Sequence, residues 1–312
     1  MAVGSLIVAS DYNTIQSKVA LVLGTGSGDY GYGQVLSSSQ VSVSAKISVL
    51  QWNNLRSDLL KCRQHQTGVD ESAGLTQPST TVKIFDADRA AYNSMADLIT
   101  TNRLITPPAG QATPEDVATP AVRSAAWNGS IVHTLTVTFS SENARRNFFN
   151  TGSEFRFTAS RSDSPSDPTV VTAPAGTKDY SWSQLLGTNT TLFPSGMGTI
   201  KFNHNSTTVT GSGSPSSSIG FFQLTGSDQT IFIKNATLYT PNRYYINARL
   251  AGTTQIVFSI VFEDSATSAP NPNPPWDIDE NVTGTLTSTV KVYRASGSNV
   301  SVPLPTGSSS GL

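Results

Sequence analysis

The chain has 312 residues, enough for roughly two domains, and only 13% of them are charged. Its formal net charge of -1 lacks the basic excess of a phosphate-binding surface, so nucleic acid is not expected as a partner. The single cysteine excludes an internal disulfide, and no window approaches the ~20 apolar residues of a membrane-spanning helix. Residues 1–10 lack the basic start of a signal peptide. These features predict a soluble, β-rich protein.

Residues 1–102 are predicted to form a small helical docking region, preceded by a short strand at residues 6–8. Three stripes of apolar residues recur at helical spacing. They are Ile15, Val19 and Val22; Trp52, Leu55, Leu59 and Cys62; and Tyr92, Met95, Ala96 and Ile99. Asp11 is predicted to cap the first helix and Gly24 to end it. Because each stripe is narrow, we expect this region to need a neighbour that covers it.

Residues 103–120 contain four prolines and are predicted to be a linker, followed by a β-rich domain at 121–305 and a flexible tail at 306–312. Residues 131–139 alternate apolar and polar positions, as one strand with a buried face does. A helix at 142–150, capped by Ser140 or Ser141 and ended by Gly152, precedes a strand at 155–157. A helical turn is predicted at 179–186 and a polyproline spacer at 270–275. Further strands are predicted at 199–202, 220–224, 230–234, 244–250, 255–262 and 286–293.

The order of these elements predicts an α+β fold. A small helical N-terminal region is followed by a mainly antiparallel, β-sandwich-like domain with one or two short helices. Long helices do not alternate with the strands, which argues against a parallel sheet.

Four motifs resemble ligand sites. Residues 26–31 match G-x-G-x-x-G, but a helical stripe precedes them where a dinucleotide loop needs a strand, so a flexible or partner-ordered loop is expected instead. Cys62 and His65 form only half of a metal site, and a buried cysteine beside a solvent-facing histidine is expected. Asp277, Asp279 and Asn281 have calcium-loop spacing without the required Gly and Glu, and Asp163 with Asp167 is equally weak. No cofactor or metal is therefore expected, and weak cation binding at Asp277 and Asp279 stays open.

Catalysis is not expected, because the possible bases are few. His133 shares a strand face with Leu135 and is interpreted as a hydrogen-bonded core residue, and His204 lies in a predicted turn. A glycosidase using two carboxylates, from Glu142, Glu154 or Glu263 with an Asp, is left open.

Arginine and aromatic side chains are the strongest positive feature, since both dominate protein interfaces. In residues 243–250 one strand face is apolar and the other carries arginine and tyrosine, which fits either a subunit contact or a solvated sheet face. In residues 145–149 one phenylalanine is expected in the core and the other exposed or covered by a partner. The interface candidates are Tyr30, Tyr32, Arg145, Arg146, Phe148, Phe149, Arg243, Tyr245 and Arg249.

Three stretches resemble known proteins: residues 11–34, residues 52–58 and residues 143–157, with Trp182 downstream. They are similar to segments of virion structural proteins of large contractile-tailed marine cyanophages and related phages. The matching stretches are spread over residues 11–182, about half of the chain. It implies a component of the tail, neck or fibre apparatus and supplies no catalytic residues.

The sequence thus predicts a virion protein, assembled in the host cytoplasm, that acts through contacts with its own copies and other virion proteins. One alternative is a carbohydrate- or receptor-binding adhesin of a fibre tip, with a host glycan held in an aromatic pocket near Trp127, Trp182 or Trp276. A second alternative is a capsid decoration protein. A third is a glycan-degrading enzyme.

Overall fold

The structure is a computed structural model and describes residues 7–266 and 281–312. Within these residues the chain has five α-helices and two antiparallel sheets, which confirms the predicted α+β, sandwich-like fold. Contacts divide the chain into two units. The helical unit comprises the chain up to Pro114, with Ser141–Ser153 and Tyr293–Pro303; the β unit comprises Glu115–Ser140, Glu154–Val292 and Leu304–Leu312. The described residues contain no helix whose length and apolar character suit a membrane span.

Four helices belong to the helical unit: α1 (Ala9–Leu23), α2 (Val49–Thr67), α3 (Asp86–Thr101) and α4 (Glu142–Asn150). All three predicted apolar stripes are buried, as expected. Trp52 of α2 lies between Tyr12 of α1 and Tyr92 of α3, with ring centroids 5.3 and 5.0 Å away in edge-to-face geometry. This aromatic contact joins the three long helices.

The helix ends follow the capping residues. Ser48 precedes α2 and exchanges hydrogen bonds with Gln51, and Ser141 caps α4 by accepting from the Ala144 N–H at 3.0 Å. Gly24 follows α1 as predicted. Asp11 lies one turn inside α1 and accepts from the Val8 N–H at 3.2 Å, so it stabilises the first turn without being the N-cap. The predicted strand at 6–8 is wrong at Val8, because Val8 is the N-cap of α1. Residue 6 lies outside the described residues.

The β unit contains the fifth helix, α5 (Lys178–Leu186), and most of the strands. The strands in chain order are β1 (Ala112–Asp116), β2 (Ala121–Arg123), β3 (Gly129–Thr138), β4 (Glu154–Ser162), β5 (Ile200–Phe202), β6 (Thr207–Val209), β7 (Ser214–Pro215), β8 (Gln229–Asn235), β9 (Arg243–Ala251), β10 (Gln255–Asp264), β11 (Thr285–Ala295) and β12 (Thr306–Ser310). One sheet has the order β1-β11-β4-β5-β6 with β2 beside β11, and the other has the order β12-β3-β10-β9-β8-β7.

Phenylalanines fill the space between the two sheets. Phe258 of β10 contacts Phe155 and Phe157 of β4 and Phe202 of β5, at centroid distances of 5.3, 5.0 and 5.5 Å. The alternation of buried residues along β10 and β4 places these rings on the inner faces.

Four predictions need correction. The supposed linker at 103–120 contains β1, and residues 141–153 and 293–303 of the supposed β domain belong to the helical unit. Residues 220–224 form a 3₁₀ turn (Phe221–Gln223) because the N–H groups of Phe221 and Phe222 donate to carbonyls of residues 203 and 204 instead of to a strand. The supposed flexible tail is β12, which pairs with β3. The predicted spacer at 270–275 lies outside the described residues.

Candidate functional site

The helical unit has an open groove of about 1460 Å³ where α1, α2 and α3 begin. Its lining comes from the first turns of α1 and from two further segments, residues 43–49 and 78–87, which run into the first residues of α2 and α3. Trp52 lies at the groove and is 5% exposed. The volume exceeds the roughly 300–1,000 Å³ of small-molecule sites, so the groove is wide enough for a polypeptide segment.

Exposed apolar side chains border this groove. Val43 is 89% exposed and Phe85 is 65% exposed, and Val8, Val49 and Val82 are exposed as well. Single exposed apolar residues are common on protein surfaces, but five around one groove form a patch of the kind that a partner covers.

Hydrogen bonds from the three helices hold the chain next to residues 43–49 and at the start of residues 78–87. Asn13 of α1 donates to the Val41 carbonyl at 2.9 Å and accepts from the Val41 N–H at 2.8 Å. Asn53 of α2 donates to the Pro78 carbonyl at 3.3 Å, and the Tyr92 hydroxyl donates to the Thr76 carbonyl at 2.8 Å. The three helices therefore fix the groove walls, while the apolar side chains on those walls remain exposed.

Two lysines and one acid line the groove. Lys46 and Lys83 line it, both are exposed, and neither forms an ion pair within the described part of the chain. The lining acid Asp86 is paired with Arg89 of its own helix at 2.8 Å. Because the helices begin here, the positive ends of their dipoles also face this region, where Asp11, Asp86 and Asp88 in the first turns partly offset them.

The glycine-rich loop at residues 26–31 is held by the chain itself. Asn150 donates to the carbonyls of Gly28, Tyr30 and Gly31, at 3.3, 2.8 and 3.2 Å. Arg146 donates to the Tyr30 carbonyl at 2.5 Å and to two further carbonyls of the loop. A phosphate needs backbone N–H donors, whereas this loop directs carbonyls towards α4 and follows a helix, so a dinucleotide does not fit here.

Most aromatic interface candidates near this loop are unavailable to a partner. Tyr32, Phe148 and Phe149 are buried, and so is Arg145. The expectation that one of the two phenylalanines stays exposed is therefore wrong, since both are 0% exposed. Tyr30 is half-buried beneath the Arg103 guanidinium, which lies 4.2 Å from the ring centroid. Arg146 is also half-buried and is occupied by the loop carbonyls.

The outer face of β9 agrees with its predicted alternation. Tyr244, Ile246 and Ala248 are buried, and Arg243, Tyr245 and Arg249 are half-buried on the opposite face. Arg243 pairs with Glu263 at 2.8 Å and lies over the Tyr245 ring at 5.2 Å, and Arg249 pairs with Asp228 at 3.3 Å. The arginines are thus neutralised within their own sheet, which fits the solvated-face interpretation.

The histidines with resolved hydrogen bonds are structural. His65 was expected to face solvent, but it is buried and its Nε2 lies 3.0 Å from the Thr151 carbonyl. His133 is a core residue as predicted, with Nδ1 2.8 Å from Ser288 Oγ and Nε2 2.7 Å from Ser309 Oγ. Burial lowers the pKa of each imidazole to about 4, which makes both weak bases at neutral pH.

Several carboxylates in the described residues pair with arginines. Glu154 contacts Arg156 at 2.7 Å, and Asp163 contacts Arg161 at 2.5 Å. Within residues 7–266 and 281–312, no three His, Cys, Asp or Glu side chains are grouped as metal ligands would be. The calcium-like Asp277 and Asp279 lie outside that range, and Asn281 is exposed.

Two of the three tryptophans named for the adhesin alternative are buried. Trp127 and Trp182 are buried against each other, with ring centroids 4.8 Å apart. Trp276 lies outside the described residues.

Sequence reasoning missed the groove. Its residues lie in short segments between helices, where no periodicity assigns an exposed or buried face. The run Val82-Lys83-Ile84-Phe85, directly before a helix and after a Ser/Thr cluster, is the one signal that could have indicated it. Comparison of the chain with protein-family models, curated proteins and solved structures finds no match.

Proposed function

We propose that this chain is a structural protein of a phage particle, placed in its tail, neck or fibre apparatus, and that it acts through oligomeric assembly and protein–protein contacts. The observation that carries the proposal is the groove, where exposed apolar side chains lie on walls fixed by three helices. Burying such a patch stabilises an assembly by roughly 25 cal/mol per Å² of apolar surface removed from water. The resemblance of residues 11–34, 52–58 and 143–157 to virion proteins supports the setting.

The test is incorporation into particles. Tagged chains are supplied in trans during infection by the phage that encodes this protein, and the purified particles are assayed for the tag. We expect wild-type chains at a fixed copy number. We expect Val43→Asp chains to be left out, because a carboxylate would be buried in an apolar contact.

Val35→Asp is the matched control, since Val35 is 88% exposed and does not line the groove. Both changes are at exposed positions and should leave the free energy of unfolding within about 0.5 kcal/mol of wild type. Particles that contain no wild-type chain would contradict the proposed function. Equal incorporation of the two variants would show that the groove is not the contact.

A further inference from the structure

The groove indicates the chemistry of its occupant. Its apolar side chains favour apolar partners, and Lys46 and Lys83, which form no ion pair among the described residues, favour acidic ones. A segment that combines both within a few residues satisfies the groove best, because its carboxylates meet the lysines while its apolar side chains cover Val43 and Phe85.

This chain contains a segment of that chemistry. Residues 276–280 read Trp-Asp-Ile-Asp-Glu, and Asp277, Asp279 and Glu280 are the only three acidic residues of the sequence that fall within five consecutive positions. Two large apolar residues, Trp276 and Ile278, alternate with the first two acids. The segment lies outside the described residues.

The described residues on both sides of this segment are fastened to the start of α5. Asp264 pairs with Lys178 at 3.0 Å, and both side chains are buried. Asp179, the next residue of α5, accepts from the Thr283 N–H at 2.7 Å and pairs with Arg161 at 2.8 Å. The described residues on both flanks are therefore held at two consecutive residues of one helix.

We propose that the groove of one copy receives residues 276–280 of a second copy. This inference rests on the proposed function and names the partner of the groove. Such a contact joins two different surfaces, so it is heterologous and repeats from copy to copy, giving a ring where the rotation closes. The lysines of the groove and the acids of the segment set the orientation of each contact.

Reciprocal charge reversal tests the contact in the full-length chain. One variant is Lys46→Glu with Lys83→Glu, and the other is Asp277→Lys with Asp279→Lys. Sedimentation velocity should show self-association of the wild type, weakened at least about tenfold in either variant alone. An equimolar mixture of the two variants should associate again, because each chain then offers a surface that complements the other. Lys201→Glu, a reversal on β5 at a residue that does not line the groove, should associate like wild type.

Three outcomes would overturn this inference. A wild-type chain that stays monomeric at its highest attainable concentration excludes a second copy as the occupant. Unchanged association of the Asp277→Lys, Asp279→Lys variant excludes the segment. Weakened variants whose mixture fails to associate exclude direct pairing. If Val43→Asp is nevertheless left out of particles, the occupant is another particle protein and the proposed function stands.

Discussion

At the scale of single residues, the two buried histidines make stability depend on pH. In the folded chain burial lowers the pKa of His65 and His133 to about 4, whereas an unfolded histidine titrates near 6.5. As the pH falls, the unfolded state therefore binds protons before the folded state does. Stability is greatest above pH 6.5 and falls as the pH drops towards 4, where the folded imidazoles also become protonated.

We expect the free energy of unfolding to fall by on the order of 2 kcal/mol for each histidine between pH 7 and pH 4.5, beyond the contribution of carboxylates. Urea denaturation across this range measures it. The His65→Gln, His133→Gln variant shares the carboxylates of the wild type and should show a shallower dependence. Identical slopes for the two chains would contradict the assignment.

Asn150 is the residue on which the glycine-rich loop depends most. Its amide is buried and donates to three loop carbonyls, so Asn150→Ala leaves these carbonyls without that donor. We expect a loss of about 2–3 kcal/mol in the free energy of unfolding and faster hydrogen exchange in residues 26–31. Asn143→Ala, on the exposed side of the same helix, is the control and should change little.

At the scale of elements, β12 shows how a short polar strand is stabilised by its neighbours. Its five residues are Thr, Gly and Ser, and its register on β3 brings the Ser309 hydroxyl to His133 Nε2 at 2.7 Å. Ser309→Ala removes the partner of a buried nitrogen, so we expect a loss of about 1–2 kcal/mol. Ser308→Ala on the same strand is the control, and equal effects in thermal or urea unfolding would show that this hydrogen bond contributes nothing.

The elements that the sequence predicted are those whose own residues carry a periodic apolar face. The stripe from Trp52 to Cys62 and the alternation along residues 131–139 have such a face, and both are observed. The strand β12 has no such face. It forms because it pairs with β3, which lies more than 160 residues earlier in the chain, and its own residues do not indicate that pairing. The burial of Phe148 and Phe149 was missed for the same reason, since the residues that cover α4 come from distant parts of the chain.

At the scale of the whole molecule, the helical unit is assembled from three separate stretches of chain. The stretch at 141–153 supplies Thr151, whose carbonyl contacts His65, and the stretch at 293–303 supplies Asn299, which donates to Gln64 at 2.5 Å. A cut in the predicted linker would remove both stretches from the first three helices.

We therefore expect a fragment of residues 1–120 to lack a cooperative unfolding transition, because it loses the contacts that Thr151 and Asn299 make with α2 and the donors that α4 supplies to residues 26–31. Circular dichroism melting and hydrogen exchange measure this. The full-length chain keeps all three stretches as well as β12 and is the control. Cooperative unfolding of the short fragment would support the original division at 103–120.

The three-stretch construction of the helical unit also fixes an order of events during translation. Ribosomes add residues from the N-terminus, so α1, α2 and α3 emerge long before residues 293–303 are made. The helices α1, α2 and α3 therefore remain incompletely covered until nearly all of the β unit has left the exit tunnel. A chain shortened by a premature stop codon would lack residues 293–303. We expect chaperones and proteases to bind such a chain, so that it does not assemble with full-length copies.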